Sequence, residues 1–149
     1  MTANLPGRRR VAALVAFSPF ALAACSRGSA EARLRARIVA MQEALEARKT
    51  AAFMAGVSPD FIGPGGLDHA GVRNLLRLQF LRHAKVGATL GPLAIEMRSG
   101  GADVTFKVIS TGGDGSFLPD TAHAWSVRSA WRDGADGWQV VQADWAPAL

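Results

Sequence analysis

Tyrosine is missing from this 149-residue chain, so no phenol is available as a proton donor. Cysteine occurs once, at Cys25. The chain therefore closes no internal disulfide and must hold together by packing, even in an oxidising compartment. Its histidines, His69, His83 and His123, are widely separated and show no HxxH-type spacing, which removes the sequence case for a zinc site. No metal and no cofactor is expected. There is no internal repeat and no low-complexity tract. The uncharged stretch from Val11 to Ala24 falls short of the about 20 apolar residues of a spanning helix, and Pro19 interrupts it. A nucleic-acid partner is also not expected. The net charge is +5, but three of the 17 basic residues are Arg8, Arg9 and Arg10, so the rest of the chain has 14 against 12 acids, about +2. Those charges are mixed in sign along the chain, with no basic stripe interleaved with aromatics.

The first ten residues carry Arg8, Arg9 and Arg10 and no acid, and the short uncharged run that follows ends in small residues, the pattern of a secretory signal. Leu22-Ala23-Ala24-Cys25 then resembles the lipobox of bacterial lipoproteins, with Leu three before Cys and small residues between. That resemblance implies a cut before Cys25, a diacylglycerol on its sulfur and an acylated amino group. Each buried methylene contributes about 0.8 kcal/mol, and several chains on one cysteine make dissociation negligible. Ser26 stands where inner-membrane lipoproteins tend to carry Asp. The resemblance thus implies a lipid anchor in the bacterial envelope, at the outer membrane, with the domain facing the periplasm. The expected organisation is a signal over 1–24, a lipidated tether over 25–29 and a single domain over 30–149, an ordinary length for one domain.

Leu34, Ile38, Met41 and Leu45 recur on one helical face, with Ser29 as a candidate cap and Glu31 in the first turn. Ser58-Pro59 and Gly63-Pro64-Gly65-Gly66 read as turn chemistry. Asp68 fits the N-cap of a second long helix, with Leu67 and Val72 placed as a hydrophobic staple. Val72, Leu75, Leu76 and Phe80 form its apolar face, and Leu78 and Leu81 widen it to an arc that suggests an enclosing sheet. From Val86 the period changes to two. Ile95 and Met97, then Val104, Phe106 and Val108, then Trp125, Val127 and Trp131, then Trp138 and Val140 mark strands joined by the turns "SGG" and "DGADG". Thr111 to Asp120 reads as a flexible loop, since Gly112-Gly113-Asp114-Gly115 lacks the helix of a phosphate loop and the alternating acids of a calcium loop. Helices followed by a meander argue an α+β fold.

The two helices, "VSPDF" between them and the hairpins ending in "DGWQVVQADW" resemble the nuclear transport factor 2-like superfamily over about Ala30 to Trp145. The resemblance implies a cone: N-terminal helices packed on a curved antiparallel sheet, as in ketosteroid isomerases, scytalone dehydratase and polyketide cyclases, with a pocket between them. The same fold carries enzymes, binding modules and assembly domains, so function rests on the site. Gln142 and Asp144 share parity with Trp138 and Val140; His123 shares parity with Trp125. A four-residue turn would set Trp125 opposite Asp144 and His123 one diagonal step away. Asp144 and His123 are then candidates for an acid–base pair, and Trp125 and Gln142 for ligand contacts. Other members of the superfamily often use a tyrosine donor, which this chain lacks. The preferred expectation is a non-catalytic module for a small apolar ligand or an envelope protein partner. The alternative is a dehydratase or isomerase using Asp144 and His123. A homodimer through the open sheet face, near Ser126, Arg128, Ala130, Val141 and Ala143, is the third.

Overall fold

The computed structural model describes residues 20–113 and 121–148, with side chains from residue 28. Most of the expected signal, the Cys25 side chain and most of the glycine-rich loop lie outside the described residues. Helix α1 spans Phe20–Glu46. It runs unbroken through the stretch expected as a tether, so Ser29 lies inside the helix and does not cap it. Leu34, Ile38, Met41 and Ala44 form its buried stripe. The helix ends in a Schellman turn. Lys49 N–H reaches Ala44 O at 2.8 Å and Arg48 N–H reaches Leu45 O at 3.0 Å, with Arg48 in the left-handed region at φ 59°. The Arg48 guanidinium donates to His83 O and Ala84 O, each at 2.6 Å, and to Phe80 O. It thereby binds this turn to the end of a later helix.

A short helix α2 (Thr50–Met54) follows. The Ser58-Pro59 segment, expected as a turn, is instead strand β1 (Val57–Ile62), paired in parallel with the last strand. Pro59 lacks a ladder donor, and an edge strand is where the sheet tolerates one. A 3-10 turn over Pro64–Gly66 leads into α3 (His69–Arg82). Asp68 caps α3 as its position predicts: its carboxylate accepts from Gly71 N–H at 2.7 Å. Leu76 and Phe80 are buried, but Leu75, Leu78 and Leu81 are exposed. The apolar arc of α3 is therefore wider than the surface that covers it.

Strands β2 (Lys85–Leu90), β3 (Ala94–Arg98), β4 (Gly101–Gly113), β5 (Thr121–Gly134) and β6 (Gly137–Pro147) complete a six-stranded sheet. The order is β1-β6-β5-β4-β2, with β3 also on β4. The meander is antiparallel as expected, and β1 makes the sheet mixed. Helices and the curved sheet enclose one core around Leu34, Val104, Trp131 and Trp138. Trp138 is buried, and its indole N–H donates to Ala30 O at 3.1 Å, joining β6 to α1. Trp125 is only half-buried.

The β5–β6 hairpin overturns the expected register. Gly134 pairs Gly137, leaving a two-residue turn where four residues were expected, and Asp144 pairs Arg128 where Trp125 was expected, while Trp131 pairs Val140. A bulge then follows: Ala130 pairs Gln142, so Val141 has no opposite number. A strand exchanges faces at such a point. Trp138 and Val140 point into the core before it, Ala143 after it, while Gln142 and Asp144 are exposed. Ala143, expected on the outer face, is an inner residue.

Candidate functional site

Two cavities lie between the helices and the sheet, and Leu75 and Leu76 belong to the walls of both. The first, an apolar chamber of about 270 Å³ that is partly open to solvent beside Leu75 and Trp145, is lined by Met41, Phe53, Phe61 and Val72 from the helical side and β1, and by Phe106, Val127, Trp131, Val140, Ala143 and Trp145 from the sheet. Among the described residues its lining holds no ionisable side chain. Ser129 supplies the one hydroxyl among its described lining residues, and that hydroxyl is occupied. It accepts from the Trp131 indole N–H at 2.9 Å and donates to Val104 O at 3.2 Å. A buried indole N–H requires such a partner, so Ser129 serves the wall of the chamber.

The second cavity, about 440 Å³, is more polar and lies beside the first. Gln79, His83, Ser110, Thr111, His123 and Trp125 contribute to it. Trp125 donates its indole N–H to Ser110 Oγ at 3.1 Å, and Ser110 Oγ donates to His123 O at 3.3 Å. The His123 and Trp125 rings are 6.2 Å apart and tilted. His83 lies against the backbone of Gly112, where an added Cβ would come within 3.0 Å of the imidazole. Glycine there lets the ring seat against the strand.

His123 and Trp125 thus line one cavity, as their shared parity predicts. Gln142 and Asp144 do not. Both line an open groove on the opposite face of the sheet with Asp103, Thr105 and Arg128, and Asp144 pairs across the ladder with Arg128. Asp144 and His123 form no acid–base pair, because the bulge at Val141 turns the carboxylate outward. Asp103 in the same groove is ion-paired with Arg98. Sequence reasoning missed Ser129, Ser110 and His83. Strand parity would have found both serines: Ser129 alternates with Val127 and Trp131, and Ser110 with Phe106 and Val108. His83 had no such marker, since its place at a helix end is ordinary for a histidine.

Among the described residues no group of His, Cys, Asp and Glu is arranged to hold a metal ion, and no helix is long and apolar enough to cross a membrane. The apolar chamber suits apolar surface, at roughly 25 cal/mol per Å² removed from water. Its neighbour offers imidazoles, hydroxyls and an amide to a polar end.

No family model matches the chain, and none of the curated proteins does. Solved structures do match it. An NTF2-like protein with a cystatin-like fold from Novosphingobium aromaticivorans is similar at TM-score 0.69 and 17% identity, over 87% of this chain and 90% of that one. A candidate scytalone dehydratase from the same organism is similar at TM-score 0.73 and 11% identity, over 84% of this chain and 89% of that one. Bd1075 of Bdellovibrio bacteriovorus is similar at TM-score 0.68 and 11% identity over 77% of this chain, which spans 40% of that protein's length. At these identities the likeness shows the fold, and the fold is nuclear transport factor 2-like.

Proposed function

We propose that this chain is a lipid-anchored binding module of the bacterial envelope, facing the periplasm at the outer membrane, whose cone takes up a small, predominantly apolar ligand. One observation carries the ligand reading: a chamber of about 270 Å³ whose described lining residues include no ionisable side chain and a single hydroxyl already engaged. Proton-transfer chemistry needs a donor or base within reach of the reacting atom; the described chamber wall offers none, and His83 and His123 stand in the adjoining cavity. Binding an apolar body needs only shape and dry surface, with a few polar groups to orient it; the adjoining cavity supplies those. The NTF2-like fold accommodates such a module. The anchor reading is supported by the leader and by Leu22-Ala23-Ala24-Cys25.

The binding test uses an apolar fluorophore titrated into the full chain. It should bind with a blue-shifted emission. Val127→Phe, which fills the chamber from β5, should remove that binding while the circular dichroism stays native. Equal binding by parent and variant, or no binding by the parent, sinks the ligand reading. The anchor is tested separately by mass spectrometry of membrane fractions. A chain beginning at acylated Cys25 is expected, and an intact N-terminus or a cut elsewhere refutes it.

A further inference from the structure

Three of the seven large apolar side chains exposed among the described residues lie on one helix: Leu75 at 43%, Leu78 at 41% and Leu81 at 85%. All three belong to α3, whose opposite side packs Leu76 and Phe80 into the core. The same helix exposes Arg73, Arg77 and Arg82. At 100° per residue, Leu78, Asn74 and Leu81 point away from the core, with Arg82 on one flank and Arg77 and Arg73 on the other. No acid occurs between Asp68 and Glu96, and Lys85 adds a further cation. Asp68 itself is engaged as the helix cap. The turn between α1 and α2, which Arg48 ties to the end of α3, carries Arg48 and Lys49, with exposed Glu46 just before it. From His69 to Arg82 the formal charges of α3 itself are all positive, unlike those of the chain at large.

We infer that the exposed face of α3 is a docking surface for an anionic lipid bilayer. Leu78 and Leu81 enter the interface, and the flanking arginines meet lipid phosphates. Charge selects this occupant over a second copy of the chain. A two-fold contact through α3 would bring Arg73, Arg77 and Arg82 of both copies onto one patch with no acid on either helix to offset them. The inference rests on the anchored reading only for the encounter with the bilayer; the surface chemistry stands on α3 alone. A domain held in this way would keep one fixed orientation to the membrane, with the α3 side of its cavities toward the lipid.

The test uses the full chain with Cys25→Ser and a single new cysteine, Leu78→Cys, carrying an environment-sensitive fluorophore. A second preparation carries Lys107→Cys, an exposed position on the outward face of β4. With vesicles of equal parts phosphatidylglycerol and phosphatidylcholine, the label at 78 should shift to the blue and become protected from an aqueous quencher. Phosphatidylcholine alone should have no such effect, and the label at 107 should stay exposed in both. Each arginine is worth about fivefold in the docked-to-undocked ratio. Replacing Arg73, Arg77 and Arg82 by Gln should therefore lower that ratio about a hundredfold with the circular dichroism unchanged. A label at 78 that stays exposed on anionic vesicles overturns the inference, as does an equal change at both positions. A shift without lipid that grows with protein concentration also overturns it and identifies self-association. Because Cys25 is absent from these proteins, the outcome is independent of whether the native chain is acylated.

Discussion

Ser129→Ala is a small change with a large expected consequence. The hydroxyl it removes sits in a wall where Ser129, Trp131 and Val104 are all buried. Two hydrogen bonds disappear with it, from the Trp131 indole at 2.9 Å and to Val104 O at 3.2 Å. The serine carries almost no apolar area, so transfer terms are minor. The dominant cost is an indole N–H left without a partner in an apolar wall, about 1–3 kcal/mol. For a domain of this size that corresponds to roughly 3–5 °C in Tm per kcal/mol, and the loss reads directly in thermal unfolding followed by circular dichroism. The decisive measurement is the double-mutant cycle with Trp131→Phe. That second change removes the donor itself, so in its presence Ser129→Ala should cost much less than alone, with a coupling of about 1–2 kcal/mol. Additive losses would refute the reasoning, and so would a Ser129→Ala protein that melts with the parent. Either result would mean that the indole is satisfied by another partner, such as water admitted to the chamber, and that the chamber is wetter than its lining implies.

Trp138→Ala should cost about 3–5 kcal/mol, because the ring is buried and its N–H ties β6 to Ala30; chemical denaturation with an unchanged midpoint would contradict this. Arg48→Ala should be more destabilising than Arg48→Gly by about 1 kcal/mol. Both lose the carbonyl contacts, but only glycine relieves the left-handed turn at φ 59°, and equal melting temperatures would show that the turn is unstrained. The Ser58 hydroxyl and then Arg132 hold the Asp60 carboxyl below the ordinary aspartate range. Stability from this group is therefore present above the ordinary aspartate pKa and lost as pH falls through the lowered one. The parent should lose Tm toward acid more steeply than Asp60→Asn, and parallel curves would rule this out. Asp144→Asn and Gln142→Ala should leave apolar-probe binding unchanged, since both side chains face the outer groove; a loss of binding would place them at the chamber after all.

The parts of the fold that announce themselves in sequence are those whose signal is local. Asp68 carries both the side chain of a cap and a helix behind it, and it caps. Trp125, Val127 and Trp131 alternate without interruption, and they share a face. Strand β1 is hidden because Ser58-Pro59 has the chemistry of a turn, while its pairing with β6 is settled by residues about 80 positions away in sequence. The α3 leucines mislead for a different reason. Periodicity reports that a side chain is apolar, and cannot report whether enough sheet exists to cover it. The site suffers most from the bulge. Val141, Gln142 and Ala143 contain no glycine, proline or other punctuation, so nothing local marks the point where β6 changes faces. One unpaired residue is enough to move Asp144 from the expected pocket to the far side of the sheet.

That unpaired residue makes the end of β6 behave like text read in two frames, with Val141 as the shift between them. Excising Val141 would restore plain alternation and leave Ala143 and Trp145 facing inward, so β6 should tolerate a one-residue deletion at this point and at few others. Moving the shift has the opposite effect. If the irregularity slid two residues toward the C-terminus, Gln142 would turn inward without any substitution, and an amide would enter an otherwise oily room. The address of the bulge, as much as the identity of the side chains, sets the chemistry that this cone presents to whatever enters it.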